Sequence, residues 1–354
     1  MDVEVYGFNE FGQCSEIPSP TDQDYPLENN VRDVSFAWSY AVILTDDIFL
    51  VGFVVEKRKV FQKLIPPFEE KVMQVSACKR HVLVVTEDGE CWQYLCSNGS
   101  WKKLPVFTSD EGEAQQQVAK VVCSDTLNVA LSRNGECLAL PNDGQVFAIP
   151  SQMPTPGLRV TDIACGVEHC LLLTDVGRVY SWGTGTRGQL GHGDLESEER
   201  PREVSALAGL HVTRVAAGGW HSACVTADGD LYMFGWNDCG QLGFPSENTV
   251  GGKRARLEGK RPAAVTVQAV PTAVSWPGDQ DRPVAEVSCG TRHTVALLED
   301  GMVWGCGWNA YGQLVDVCGC QNCYDEMVKV NIPIGKKVQH VRCGAWNTAL
   351  LFER

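Results

Sequence analysis

From Val160 to Gly191 the chain reads VTDIACGVEHCLLLTDVGRVYSWGTGTRGQLG. Its opening is a Val, then Ile163 three residues on, then Cys165-Gly166 and His169. The same opening recurs as Val212, Val215, Gly218, His221 and as Val284, Val287, Cys289, Gly290, His293. Each copy runs through an apolar stretch and a turn glycine to a Gly-Gln-Leu ending, the three endings being at Gln189, Gln241 and Gln313. Internal repeats with a period of roughly 20 to 50 residues denote solenoids, propellers or arrays, because one such unit cannot bury its apolar face alone and must stack on a neighbour.

Fainter copies fall into phase when all are aligned on the first Val. The starts are Val31, Val72, Val118, Val160, Val212, Val284 and Val338. Nine residues after each start stand Tyr40, His81, Leu127, His169, His221, His293 and Asn347. Seventeen residues after five of them stand Gly89, Gly135, Gly177, Gly229 and Gly301, as expected of a hairpin turn that needs positive φ. The apolar runs between, such as Cys170-Leu-Leu-Leu-Thr174, read as short buried strands of an all-β protein.

The termini argue for a closed ring rather than an open solenoid with capped ends. The last copy, Val338 to Phe352, stops before its turn glycine, and the missing half stands at the other end of the chain. There Tyr6-Gly7-Phe8-Asn9-Glu10-Phe11-Gly12-Gln13 matches Phe234-Gly235-Trp236-Asn237-Asp238-Cys239-Gly240-Gln241 position for position. The expectation is one seven-bladed β-propeller domain over residues 1–354, in which Val5 to Gln13 pairs as a strand with the blade of Val338 to Phe352 and leaves no edge exposed. Blades between Val51 and Pro156 lose the Trp-Gly and Gly-Gln-Leu signals. Val54 to Phe68, Ser97 to Gln117 and Pro141 to Gly157 read as irregular connections, and Phe244 to Arg282 as a long insertion.

Composition narrows the function class. No stretch approaches the eighteen apolar residues of a membrane span, and the start, Met-Asp-Val-Glu-Val, lacks a basic or apolar targeting segment. Secretory and mitochondrial targeting are therefore not expected. Sixteen cysteines without a signal suggest reduced thiols, and Cys123, Cys165, Cys289 and Cys343, which share one repeat position with Ala77 and Ala217, read as core filler. A net charge of −14 opposes direct binding to bare nucleic acid and suits a soluble protein or one with a basic protein partner.

Written V-x-x-I-x-C-G-x-x-H-x-L-x-L-T-x-x-G-x-V-Y-x-W-G-x-G-x-x-G-Q-L-G, the unit resembles the regulator of chromosome condensation repeat, with three full and four partial copies over nearly the whole chain. The resemblance implies a seven-bladed propeller and little about chemistry, since these propellers serve as exchange factors, ligase appendages and adaptors. Finer features are Tyr6 to Gln13, Ala37-Trp38-Ser39-Tyr40, Ala217 to Ser222, Phe234 to Asn237 and Cys343 to Thr348. They are similar to a small member of the family that carries only this domain. That member partners a Jumonji-type, iron- and 2-oxoglutarate-dependent oxygenase in chromatin regulation and chromosome segregation.

The residue before each repeated His position belongs on a turn at one face of the ring. Around the ring these are Ser39, Arg80, Thr126, Glu168, Trp220, Arg292 and Trp346. The family's exchange factor places acidic residues at several of these turns; here Glu168 is the single acid. Trp and Arg are enriched in interface hot spots, so Trp38, Arg80, Glu168, Trp220, Arg292 and Trp346 form the candidate partner-binding face. The repeated His81, His169, His221 and His293 read as structural hydrogen-bonders bracing each blade, because a position that accepts Leu127 is not chemical. Cys318, Cys320 and Cys323 have metal-like spacing but lack a fourth ligand, and an ordinary loop is the plainer reading. Lys253, Arg254, Arg256, Lys260 and Arg261 form a basic run that is a candidate nuclear-import signal.

No phosphate loop, activated nucleophile or cofactor motif is present in the sequence. The expectation is a non-enzymatic adaptor of nucleus and cytoplasm, associated with chromosomes, without cofactor, that binds a protein partner, a Jumonji-type oxygenase by the resemblance, and reaches chromatin through it. The alternatives are an exchange factor for a Ras-like GTPase and a microtubule- or traffic-associated propeller. If the partner's substrate were an arginine on this chain, only Arg159 borders the irregular Pro141 to Gly157 segment, which itself contains no Arg.

Overall fold

In the computed structural model, residues 1–12, 14, 30–53, 59–106, 117–140, 159–246, 263–278, 281–315 and 322–353 are described. They form seven small antiparallel sheets, numbered here as blades 1 to 7 in the order of the repeats. The innermost strands are Asp33–Phe36, Val72–Ala77, Val118–Cys123, Val160–Cys165, Val212–Ala217, Val284–Cys289 and Val338–Cys343. Each packs on the innermost strand of the next blade, and the last returns to the first. The chain is a closed seven-bladed β-propeller around a channel of about 860 Å³.

The second strand of every blade explains the unbroken apolar runs in the sequence. His169–Thr174, for example, is buried along its whole length because a blade is covered on both faces. Side chains alternate between the two neighbours with the period of two that a strand imposes. Cys170 and Leu172 pack towards blade 3, while Leu171 and Leu173 pack towards blade 5. Seven such apolar clusters, one between each successive pair of blades, are the core. Among the described residues the buried apolar clusters all lie between blades, so stability is a sum of neighbour contacts and closure matters.

Closure is made by a strand whose bounds differ from the expected ones. Asp2–Gly7, rather than Val5 to Gln13, pairs antiparallel with Asn347–Phe352, from Asp2 opposite Phe352 to Gly7 opposite Asn347. Beyond Gly7 the chain turns, as it does after the equivalent Gly235, and Phe8 N–H donates to the Trp346 carbonyl (3.1 Å). The similarity of Tyr6–Gln13 to Phe234–Gln241 thus covers the end of a strand and the loop after it. Inside the channel an ion pair spans the same seam: Arg342 of blade 7 reaches Asp33 of blade 1 (3.2 Å) and Glu286 of blade 6.

Three segments expected to be irregular contain outer strands. Lys59–Leu64 completes blade 1, Ser100–Leu104 completes blade 2, and Val267–Ala273 within the supposed insertion completes blade 5. An outer strand has one neighbour and a wet face, so its side chains need no apolar run; Ser100–Leu104 is exposed or half-buried throughout. Pro141 to Gly157 lies outside the described residues apart from its border at Arg159.

Two kinds of glycine are dictated by the blade. The hairpin glycines Gly89, Gly135, Gly177, Gly229 and Gly301 have φ between +75° and +89°. The glycine after the Trp or Phe of the third strand is different. Gly235 combines φ +114° with a position where a Cβ would meet the Trp220 carbonyl at 2.6 Å.

Candidate functional site

Three of the four repeated histidines, His169, His221 and His293, tie neighbouring blades together, whereas His81 lies against Cys78 of its own blade. His169, His221 and His293 are fully buried. Ser222 Oγ donates to the Gln189 carbonyl (2.8 Å), so it accepts from His169 Nε2–H at 2.9 Å. In the same way Thr294 donates to the Gln241 carbonyl (2.8 Å) and accepts from His221 (2.9 Å). His293 lies 3.1 Å from the Thr348 hydroxyl. Each of the three therefore ties its blade to the next, and at Ser222 and Thr294 the hydroxyl also binds the Gly-Gln-Leu loop of the histidine's own blade. The Gln side chains close those loops, accepting the Arg187, Cys239 and Tyr311 N–H groups at 2.9, 2.9 and 3.0 Å. Burial removes the solvation a charged imidazole needs and lowers the pKa of His169 and His293 to about 4. For His221 burial, reinforced by the two flanking histidines, lowers it to about 3.

The turns after the first strands and the loops after the third strands emerge on one face, since the third strand ends where the second begins. On blades 4 to 6 this face carries a packed cation–π stack. The Arg187 guanidinium lies 4.3 Å from the Trp220 ring centre and 4.4 Å from that of Trp236, and the two rings meet edge to face at 5.5 Å. Trp220 Nε1–H donates to Glu168 (3.3 Å). Arg292 sits 4.8 Å from Trp236 and pairs with Asp238 at 3.1 Å. Glu168, Trp220 and Arg292 are therefore brought together, through Arg187, Trp236 and Asp238, which sequence reasoning did not single out. Their signal was their place in the third-strand loops that abut the singled-out turns.

On blades 6, 7 and 1 the same face carries an aromatic arc. Tyr311 packs on Phe8 (4.9 Å), Trp346 (6.2 Å) and Trp308 (6.5 Å). Phe8 and Phe11 in turn pack on Trp38 at 6.3 and 5.4 Å. Trp38 and Tyr311 are 48% and 47% exposed, so about half of each ring faces solvent although both sit in a contiguous cluster. Arg80 is exposed on blade 2, apart from both groups.

The four cysteines at the shared repeat position all line the inter-blade clusters, as core filler should. Cys123 and Cys289 are buried, whereas Cys165 and Cys343 are half-buried. Cys323 belongs to a strand, Cys323–Lys329, not to a loop. It is buried against Cys239, whose hydrogen bond lowers the Cys323 pKa and raises that of Cys239. Cys318, Cys320 and the basic run Lys253, Arg254, Arg256, Lys260 and Arg261 lie outside the described residues. Cys78, which the repeat alignment passed over, lies with His81 and Cys123, and its hydrogen bond with Cys123 holds its pKa down at about 5. Among the described residues no helix is long and apolar enough to cross a membrane.

Residues 52–354 match the family model described as the RCC1-like domain. The chain is 38% identical over 213 residues to RCC1 domain-containing protein 1 of Homo sapiens, an alignment covering 54% of this chain and 56% of the relative, so the match spans about half of each. It is 31% identical to the ultraviolet-B receptor UVR8 of Arabidopsis thaliana, over 82% of this chain and 76% of the receptor. In fold it is similar to Prp20p of Saccharomyces cerevisiae, with a TM-score of 0.76 at 18% identity, covering 100% of this chain and 91% of that one. With a model that matches six-sevenths of the ring and repeats that close it, the chain belongs to the RCC1-like domain family.

Proposed function

We propose that this propeller is a protein-binding adaptor that works through the face bearing Trp38, Arg80, Glu168, Trp220, Arg292 and Trp346, and that its partner is a Jumonji-type oxygenase acting on chromatin. The observation that carries the reading is the aromatic arc of Phe8, Phe11, Trp38, Tyr311 and Trp346. Its rings stand on turns and loops from three successive blades, and two of them leave about half their surface in water. A blade needs no aromatic residue there, as Arg80 and Thr126 at sibling turns show. The 38% identity to RCC1 domain-containing protein 1 supports the same reading over half of the chain. Nuclear entry would rest on the basic run at Lys253 to Arg261.

The test is binding of a purified Jumonji-type oxygenase domain to the intact chain. Trp38→Ala combined with Trp346→Ala is expected to weaken the complex roughly thirtyfold or more, the loss of about 2 kcal/mol typical of a truncated anchor. Circular dichroism is expected to stay unchanged, because both rings lie outside the inter-blade clusters. Unaltered affinity in the folded double variant moves the site off this face. Trp220→Ala is a poorer probe: its ring also carries Arg187 and Glu168.

Exchange activity is not expected. Glu168, the one acid at the ring of turns, already accepts the Trp220 indole N–H. Labelled-GDP release from a Ran-type GTPase should proceed at its intrinsic rate in the presence of micromolar protein; acceleration of about a hundredfold would reverse this reading. A role as the oxygenase's own arginine substrate is disfavoured as well, since Arg159 donates to the Arg133 carbonyl beside the Gly135 turn.

A further inference from the structure

We propose that Cys78, His81 and Cys123 form a buried zinc site that clasps blades 2 and 3. All three are buried, and their ligand atoms lie within 4.8 Å of one another. Cys78 Sγ is 3.5 Å from His81 Nδ1 and 3.6 Å from Nε2, so a turn of the imidazole aims one nitrogen at an ion shared with the thiol. With zinc–sulfur and zinc–nitrogen bonds of about 2.3 and 2.0 Å, a sulfur and a nitrogen on one tetrahedral ion stand about 3.5 Å apart. Two thiolates cancel the charge of a divalent ion, which is what a site shut away from water requires. Tyr40 O–H donates to the Cys78 carbonyl (2.5 Å), and its oxygen lies 3.3 Å from Cys96 Sγ, a further thiol that stands outside the three-ligand group.

The departure of blade 2 from its own repeat points the same way. Blades 4, 5 and 6 have Gly166, Gly218 and Gly290 where blade 2 has Cys78. A Cβ at any of those glycines would run into the ring of the blade's own histidine. The three histidines then reach Ser222, Thr294 and Thr348 on the next blade, where blade 3 offers Asn128 instead. Blade 2 has thus exchanged the glycine that lets the histidine lie in its usual place for a thiol that faces the ring. Its neighbour has lost the hydroxyl the histidine would seek and presents Cys123. Sulfur and imidazole replace the inter-blade hydrogen bond, and a metal restores the link between blades.

The full chain, purified under reducing conditions and supplied with zinc chloride, should retain about one zinc per chain after desalting. Substituted with cobalt(II), it should show the near-ultraviolet absorption of thiolate-to-cobalt charge transfer. Cys78→Gly with Cys123→Ala copies the residues of sibling blades (Gly166, Ala217), so the blades are expected to form while zinc falls to roughly a tenth. Cys318→Ser with Cys320→Ser should keep the zinc. No retained zinc in the native chain, retention by C78G/C123A equal to the native chain's, or loss only in C318S/C320S overturns the proposal. The cobalt spectrum of the native chain decides independently of how well any variant folds: a band without thiolate character overturns it too.

Discussion

Removal of residues 1–12 is expected to open the ring and to cost on the order of 5 kcal/mol of unfolding free energy. The strand Asp2–Gly7 carries Met1, Val3 and Val5 into the cluster between blades 7 and 1, Tyr6 into that between blades 6 and 7, and leads to buried Phe8. Partial burial of five such side chains contributes about 1 kcal/mol each. The deletion also strips one of the two partners from Asn347–Phe352, a fully buried strand, and leaves that side as an exposed apolar edge. Urea unfolding followed by tryptophan fluorescence measures the loss, and self-association should appear with it. A truncated chain with the native midpoint and m-value would show that the N-terminal strand does not close the ring.

The second large effect is acid sensitivity. His169, His221 and His293 have folded-state pKa values of about 4, 3 and 4, below the ordinary 6.5 of an unfolded histidine. The unfolded chain therefore binds more protons between these limits. The stability they confer is complete above pH 6.5 and is lost as pH falls through the window down to about 4. The slope per histidine rises from half of its limit at pH 6.5 to about 1.4 kcal/mol per pH unit below it, so the three together remove roughly 5 kcal/mol between pH 6.5 and 5. His221→Asn, which copies Asn347 of blade 7, should lower stability at pH 7.5 yet flatten the pH dependence by close to one proton. A variant whose unfolding free energy keeps the native slope between pH 6.5 and 5 would show that His221 is not held neutral.

The inner half of each blade was legible in the sequence because its constraints are local or periodic. Val160 to Thr174 shows two buried strands and the turn between them, and Gly177 the hairpin that follows. Gln189, Gln241 and Gln313 recur because each accepts a backbone N–H of its own loop, as Asn9, Asn237 and Asn309 do at a second repeated position. The outer strands were not legible. Lys59–Leu64, Ser100–Leu104 and Val267–Ala273 are recruited by backbone pairing to a neighbour, and a wet face places almost no demand on side-chain type. The aromatic arc was half visible: Trp38 and Trp346 stood out by type, but Phe8, Phe11 and Tyr311 join them only because the N-terminal segment lies between blades 6 and 1.

By itself the sequence determined seven blades, their starts, the hairpin glycines and the meeting of the two termini, since each is written as a repeat or as half of one. Only the tertiary structure decided what each repeated residue touches. The same position binds a hydroxyl of the next blade at His221, a carbonyl of the N-terminal segment at Asn347 and a thiol at His81. The reason is physical: a repeat specifies a residue's place within its own blade, whereas its partner is set by whatever else packs there, the next blade for His221, the N-terminal segment for Asn347 and the substituted Cys78 of the same blade for His81.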